Sequence, residues 1–262
     1  MFILISCAKI MRECNHLSTL LEDYSKDFSS PCFAENAALL AEHISKYDVE
    51  SLADNLKVNR DIAQQNFLRY RGFGSGENSL LPSLFSYHGI VFKNIAPEEF
   101  SYDDMMYANE HLMMTSFLYG LLRPLDLIEH YRLEGKFKLN LDEYKNVFAY
   151  WKPRLTDFLI ERVKQQGGVL MNLASGEMRD LFDWKRVCRE VEVISPEFFV
   201  NKAGQTKSIV VYTKIARGLM TKFIIKNRIT DATSLLDFSD NGYTFIGDKN
   251  DKIYKFITDF KA

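Results

Sequence analysis

The sequence predicts a mixed α/β (α+β) fold, a sheet flanked by helices, running over residues 1–262 as a single domain. Three observations lead there. Short apolar runs such as Phe2–Ser6 and Val169–Leu173 have the length and content of buried strands. Longer stretches between such runs carry apolar residues at helical spacing. The two types interleave from end to end, with no repeat, low-complexity tract or linker between them. At 47% hydrophobic and 13% aromatic residues, the 262-residue chain supports a large core, and wholesale disorder is excluded.

In chain order, residues 16–70 carry helical periodicity broken near Ser29-Ser30-Pro31, with Leu39, Leu40, Ile44, Leu52 and Leu56 in its apolar stripe. Arg71-Gly72-Phe73-Gly74-Ser75-Gly76 is expected to be a surface loop, because no strand precedes it and no G-K-[ST] follows. Leu81–Phe85 and Gly89–Phe92 suggest a helix and a strand around Tyr87-His88-Gly89. Ser101 and Asp104 form a capping-box-like start for a helix expected to reach Tyr119, where Gly120 and Pro124 stop it. Met105, Leu112, Met113 and Phe117 would face inward from that helix. A further helix is expected from Trp151 to about Gln166, ended by Gly167-Gly168. Val169–Leu173, Glu190–Ile194 and Ser208–Tyr212 follow as strands, then a helix over 215–229. Tyr243–Ile246 and Ile253–Phe256 suggest a closing hairpin.

Several chemistries find no support. No apolar run reaches the ~18–20 residues that cross a bilayer, so no membrane partner is expected. Met1–Ser6 is too short and lacks the basic flank of a signal peptide. A cytoplasmic setting with reduced thiols is therefore expected for Cys7, Cys14, Cys32 and Cys188, none of which forms C-x-x-C. The five histidines are scattered, Cys14-x-His16 is weak by itself, and no metal site or cofactor is expected. No hydrolase, zincin or kinase signature is present.

The net charge of -2 gives no global attraction for nucleic acid, so a polyanion site must come from local clustering. From Phe198 to Thr230 there is no Asp or Glu, while Lys202, Lys207, Lys214, Arg217, Lys222, Lys226 and Arg228 fall in that window. On a helix, Ala216, Leu219, Met220, Phe223 and Ile224 form an apolar face and Lys214, Arg217, Lys222, Lys226 and Arg228 the other half. This is either a phosphate-tracking surface or a solvated face paired with acids from elsewhere in the chain. Leu118-Tyr119-Gly120-Leu121-Leu122-Arg123-Pro124-Leu125-Asp126 fits either a helix-hairpin-helix turn offering backbone N–H groups and Arg123 to a phosphate, or a corner in which Arg123 and Asp126 pair. Asn172, Ser175 and Glu177 follow one strand, as Ser6 and Lys9 follow another, so together they are candidates to line a pocket with Glu177 as general base. The bland alternative is turn chemistry and a surface carboxylate. Tyr131-Arg132-x-Glu134 reads as a structural ion pair.

Phe2-Ile-Leu-Ile-Ser-Cys-Ala-Lys9, Tyr87-His-Gly89, the 118–128 segment, Tyr131-Arg-Leu-Glu134, Tyr150-Trp151, Asn172-Leu-Ala-Ser-Gly-Glu177, Ala216-Arg-Gly-Leu-Met220 and Phe223-Ile-Ile-Lys-Asn-Arg-Ile229 occur in this order. This ordered set resembles the YaaA family of peroxide-stress proteins, UPF0246, over nearly the whole chain. The resemblance implies a cytoplasmic protein of the oxidative stress response, associated with limiting free iron. It also implies DNA binding in a positively charged cleft and a helix-hairpin-helix element. Lys9, Arg123, Arg132, Arg217, Arg228, Asn172, Ser175 and Glu177 match its pattern, and Tyr87, in another matching segment, is expected to line the cleft with Ser6, Asn172, Ser175 and Glu177. Three departures from it stand out: Cys7 where the family commonly has Pro, Phe117 where it has Gly, and Gly135-Lys136 where it has Met-Gly.

Two functions from different classes stay open. One is a DNA-binding stress protein without turnover, sequence-independent and salt-sensitive. The other is an enzyme acting on a nucleotide or other phosphorylated small molecule near Lys9, Asn172, Ser175 and Glu177, with Glu177 buried and its pKa raised. Direct iron sequestration is disfavoured, because no ligand cluster is visible.

Overall fold

A computed structural model describes residues 1–12, 21–141, 144–248 and 253–260. Cys14, His16 and the first residues of the expected 16–70 helical segment lie outside that range. The first half runs β1 (Phe2–Ile5), β2 (Ile10–Met11), α1 (Ala34–Ile44), α2 (Val49–Leu56), α3 (Arg60–Arg71), β3 (Leu80–Pro82), α4 (Ser83–Ser86), β4 (Tyr87–His88), α5 (Ile90–Ile95) and α6 (Tyr102–His111). The middle contains β5 (Leu112–Ser116), β6 (Gly120–Leu122), β7 (Leu127–Glu129), β8 (Lys138–Leu141), β9 (Tyr144–Asn146), α7 (Val147–Gln165) and β10 (Val169–Asn172). The remainder comprises α8 (Trp184–Glu190), β11 (Glu192–Ile194), β12 (Glu197–Lys202), β13 (Gln205–Lys207), α9 (Val210–Asn227), β14 (Thr244–Phe245) and β15 (Lys255–Asp259).

The mixed α/β class is as expected. The main sheet has the order β11-β10-β1-β5-β6, with β11, β10, β1 and β5 parallel and β6 antiparallel at the edge. Every residue of β1 and β5 is buried, as happens when both faces of a parallel sheet are covered. A second sheet, β13-β12-β15-β14, includes the antiparallel β14/β15 pair that the closing hairpin anticipated. One continuous cluster of buried side chains joins the two, from Phe2 to Phe256.

Local signals account for many boundaries. Asp48 caps α2 by accepting the Ser51 N–H at 2.7 Å, and Asn59 caps α3 through Ile62. Ser101 and Asp104 form the full capping box of α6. Asn146 starts α7 four residues earlier than expected, and α7 ends before Gly167 and Gly168, both at positive φ. The glycine-rich 72–76 segment is a loop, tied down where the Gly74 N–H donates to Glu129 at 2.9 Å.

Five expectations are corrected. The helix from Ser101 ends at His111, and the main sheet takes over at Leu112. A strand buried on both faces has no polar alternation, so Leu112-Met113-Met114 reads as more helix. Consequently the helix-hairpin-helix element is not formed. Residues 112–122 are a β-hairpin instead, with Gly120 at φ +71 against the Trp151 ring. Gly89–Phe92 is not a strand, since Ile90 opens α5, and Ser208–Tyr212 leads into α9. Both are β-branched segments whose propensity is overridden by the packing of α5 on α9. Leu39, placed in an apolar stripe, is exposed.

Candidate functional site

The chain leaves β1 toward β5 on one side of the sheet. Later it enters β10 on the other side of β1 and continues outward to β11. The strand order therefore reverses between β1 and β10, and their carboxyl ends open a crevice of the kind that holds ligands in α/β sheets. A cavity of about 390 Å³ lies there. It is lined by Ser6 to Ile10 after β1, by Leu173, Ser175, Glu177 and Met178 after β10, by Phe117 after β5, and by side chains of α5 and α9.

Two loops meet across the crevice. Ser6 Oγ accepts the Ser175 N–H at 2.8 Å and lies 3.3 Å from Ser175 Oγ. Asn172 shapes this turn from behind and is itself buried. Its Nδ2 donates to Ser195 Oγ at 3.0 Å and its Oδ1 accepts the Ala174 N–H at 3.3 Å. Tyr87 also sits behind the wall. Its hydroxyl is 2.8 Å from that of Tyr131, which is 2.7 Å from Ser116 Oγ, and its neighbours His88 and Gly89 line the cavity instead. Glu177 is exposed at the rim, so it lacks the buried setting the general-base reading requires.

The charged groups lining the cavity are Lys9, Lys214, Arg217 and Glu177. Arg217 is half-buried without a carboxylate partner among the described residues, and burial, then the charge of Arg179, lowers its pKa from the usual value. Lys214 lies one turn earlier on α9 and is exposed. Gly218, on the same helix, lets α9 approach the α5 backbone, because a Cβ there would collide with the Val91 carbonyl oxygen. His88 is held neutral, its pKa lowered by burial and then by Arg12 and Lys93, and its buried Nδ1 has no hydrogen-bond partner.

The other expected phosphate ligands are committed elsewhere. Lys222 pairs with Glu99 at 2.6 Å, Lys226 bonds the Glu99 carbonyl at 3.1 Å, and Arg228 pairs with Asp104 at 2.8 Å. The basic half of the helix thus divides, with its first part at the cavity and its last part tied to the α6 region. Arg123 pairs with Asp126, whose side chain is fully buried and also accepts from Ser29 at 2.7 Å. Lys9 at 2.8 Å and Arg132 at 3.5 Å share the single carboxylate of Glu134.

Sequence reasoning named only Lys9 and Arg132 of a second group of cations. A cavity of about 250 Å³ shares Lys9 and Glu177 with the first and adds Lys57, Arg132 and Lys136. A third, of about 870 Å³, shares Lys136 and adds Lys138, Lys145 and Lys152. The three cavities are thereby contiguous, with nine lysines and arginines against the carboxylates of Glu134, Glu177 and Asp180. A signal existed in the sequence, since exposed Lys136 and Lys138 alternate with buried Phe137 and Leu139.

Comparison with known proteins gives this geometry its relatives. The family described as "Peroxide stress protein YaaA" matches residues 1–249. The chain belongs to the YaaA peroxide stress family. A UPF0246 protein of Bacteroides fragilis is 48% identical over 262 residues, all of both chains. One of Porphyromonas gingivalis is 43% identical, covering 96% of this chain and 97% of its own. Another, of Clostridium beijerinckii, is 34% identical across 94% and 92%. The three departures noted from the YaaA pattern converge in space. Cys7 and Phe117 both line the cavity at the crevice. Phe117 packs edge-on against Phe148 at 5.7 Å, and Phe148 fills the space that any Cβ on Gly135 would need.

Proposed function

We propose that the chain meets peroxide stress by holding DNA along the contiguous basic cavities, shielding phosphate backbone and bases from iron-dependent oxidation. The observation that carries this reading is the excess of unpaired cations along the track. Lys57, Lys136, Lys138, Lys145 and Lys152 are exposed and have no carboxylate partner among the described residues, in a chain whose net charge is -2. Exposed lysines that neutralise phosphates release counterions, so binding would be largely independent of sequence and steeply salt-dependent. No reaction is needed for this role.

The test is a fluorescence-anisotropy titration of labelled duplex and branched DNA between about 50 and 200 mM salt. A Lys138→Glu/Lys145→Glu/Lys152→Glu variant is expected to lose at least about tenfold in affinity, with the salt slope reduced by roughly 3. Reversal of Lys222 and Lys226 should leave the affinity near its starting value, because both are already engaged by the α6 region. Binding indifferent to salt, or unchanged in the track variant, would rule the reading out.

A further inference from the structure

We propose that the crevice cavity, at one end of that basic track, also takes a small ligand of its own, a 5′-phosphomonoester carried on a flat ring system, that is, a mononucleotide unit. Its capacity fits, because about 390 Å³ lies at the lower end of the range for small-molecule sites. Its position fits as well, at the reversal of strand order between β1 and β10. Two features of its wall specify the chemistry.

The first is charge. Arg217 is half-buried and has no counter-charge among the described residues, with Lys214 one turn away and Lys9 across the cavity. A partly desolvated guanidinium left without an anion is costly, and an anion entering the cavity relieves that cost. Two cations on one helix and the Ser6 and Ser175 hydroxyls, with Lys9 opposite already paired to Glu134, match a dianionic phosphomonoester better than a carboxylate. Ser175 Oγ accepts from Ser6, which leaves its own proton available to donate. Glu177 at the rim opposes further phosphates and is an acceptor for sugar hydroxyls.

The second feature is the apolar wall of Ile90, Phe92, Phe117 and Met178, which offers contact area to a planar ring but nothing to a bare anion. His88 lines the same wall, with its unpartnered Nδ1 buried beneath the cavity surface. The ligand is therefore amphiphilic, with phosphate toward α9 and ring toward α5.

Isothermal titration and thermal shift with adenosine and guanosine 5′-monophosphates test this. Saturable binding and a raised Tm are expected, with adenosine, ribose 5-phosphate and inorganic phosphate each weaker by at least about tenfold. Arg217→Met should lose about tenfold or more. If that variant fails to fold, Ser175→Ala and Lys214→Met carry the same test, each expected to weaken binding severalfold. The Lys138→Glu/Lys145→Glu/Lys152→Glu variant should bind the mononucleotides as the unaltered protein does, so failure here and failure of DNA binding are distinguishable. A 5′-phosphorylated oligonucleotide competing tenfold better than the free nucleotide would assign the same chemistry to a strand end. Equal or weaker competition would assign it to a free metabolite. No response to any nucleoside monophosphate, a response equal to that of inorganic phosphate, or one untouched by the substitutions would overturn the proposal.

Discussion

At the scale of single residues, the cavity's thiol is set against peroxide chemistry. Burial pushes Cys7 up to about 12, with Glu134 and Glu177 adding to the shift against its hydrogen bonds. Peroxide attacks thiolates, and at neutral pH Cys7 is a thiol. Treatment of the folded protein with hydrogen peroxide or iodoacetamide should modify exposed Cys32 and Cys188 before Cys7, as read by site-resolved mass spectrometry. Modification of Cys7 at a comparable rate would contradict this. Asp104 makes a pH-dependent contribution. Burial raises its pKa, but the Ser101 N–H and Arg228 outweigh that, and the folded value is lowered overall. The stability it confers is full above the unfolded value near ~4 and is lost as pH falls through the depressed folded value. Asp104→Asn should therefore lower Tm at pH 7, with the difference narrowing in acid. Arg123 belongs to the same structural class. Removing it leaves the Asp126 carboxylate buried and uncompensated, so Arg123→Ala should cost about 3 kcal/mol in denaturant unfolding and leave DNA affinity nearly unchanged.

At the scale of elements, two glycines hold the architecture that sequence periodicity misread. Gly120 turns the β5–β6 hairpin at φ +71, and a Cβ there would stand 2.8 Å from the Trp151 ring. Gly120→Ala combines left-handed strain with overpacking and should cost about 3 kcal/mol by chemical denaturation. Gly218→Ala would push α9 off α5, costing about 2 kcal/mol in the same measurement and weakening any ligand held by Lys214 and Arg217. The capping box at Ser101 and the glycines after Gln166 were legible, since they act through residues a few positions away. The 112–122 hairpin was not. Nothing local separates a strand buried on both faces from a continuing helix of Leu and Met. The same limit applies to Ile90-Val91-Phe92, where contact with α9 outweighs β-branched preference.

At the scale of the whole molecule, function depends on which cations lack partners. The acid-free 198–230 window drew the eye to α9, yet Glu99 and Asp104, more than a hundred residues earlier, occupy Lys222, Lys226 and Arg228. Reversing the charge of those three should lower Tm more than it lowers DNA affinity, which differential scanning beside anisotropy would measure. No helix among the described residues is long and apolar enough to cross a membrane, and no group of three or more His, Cys, Asp or Glu there is placed to hold a metal ion. The sequence by itself determined the α/β class, the buried strands β1 and β10, the capping box at Ser101 and the family, because these depend on local spacing or ordered motifs. It also brought Ser6, Lys9, Ser175 and Glu177 to one crevice, since parallel strands carry the residues that follow them to a common edge. Only the tertiary structure decided that Asn172 and Tyr87 stand behind the wall, that Arg217 has no carboxylate partner among the described residues, and that Lys136, Lys138, Lys145 and Lys152 extend the track. The physical reason is that charge pairing and burial are properties of neighbours in space, and those neighbours lie far apart along the chain.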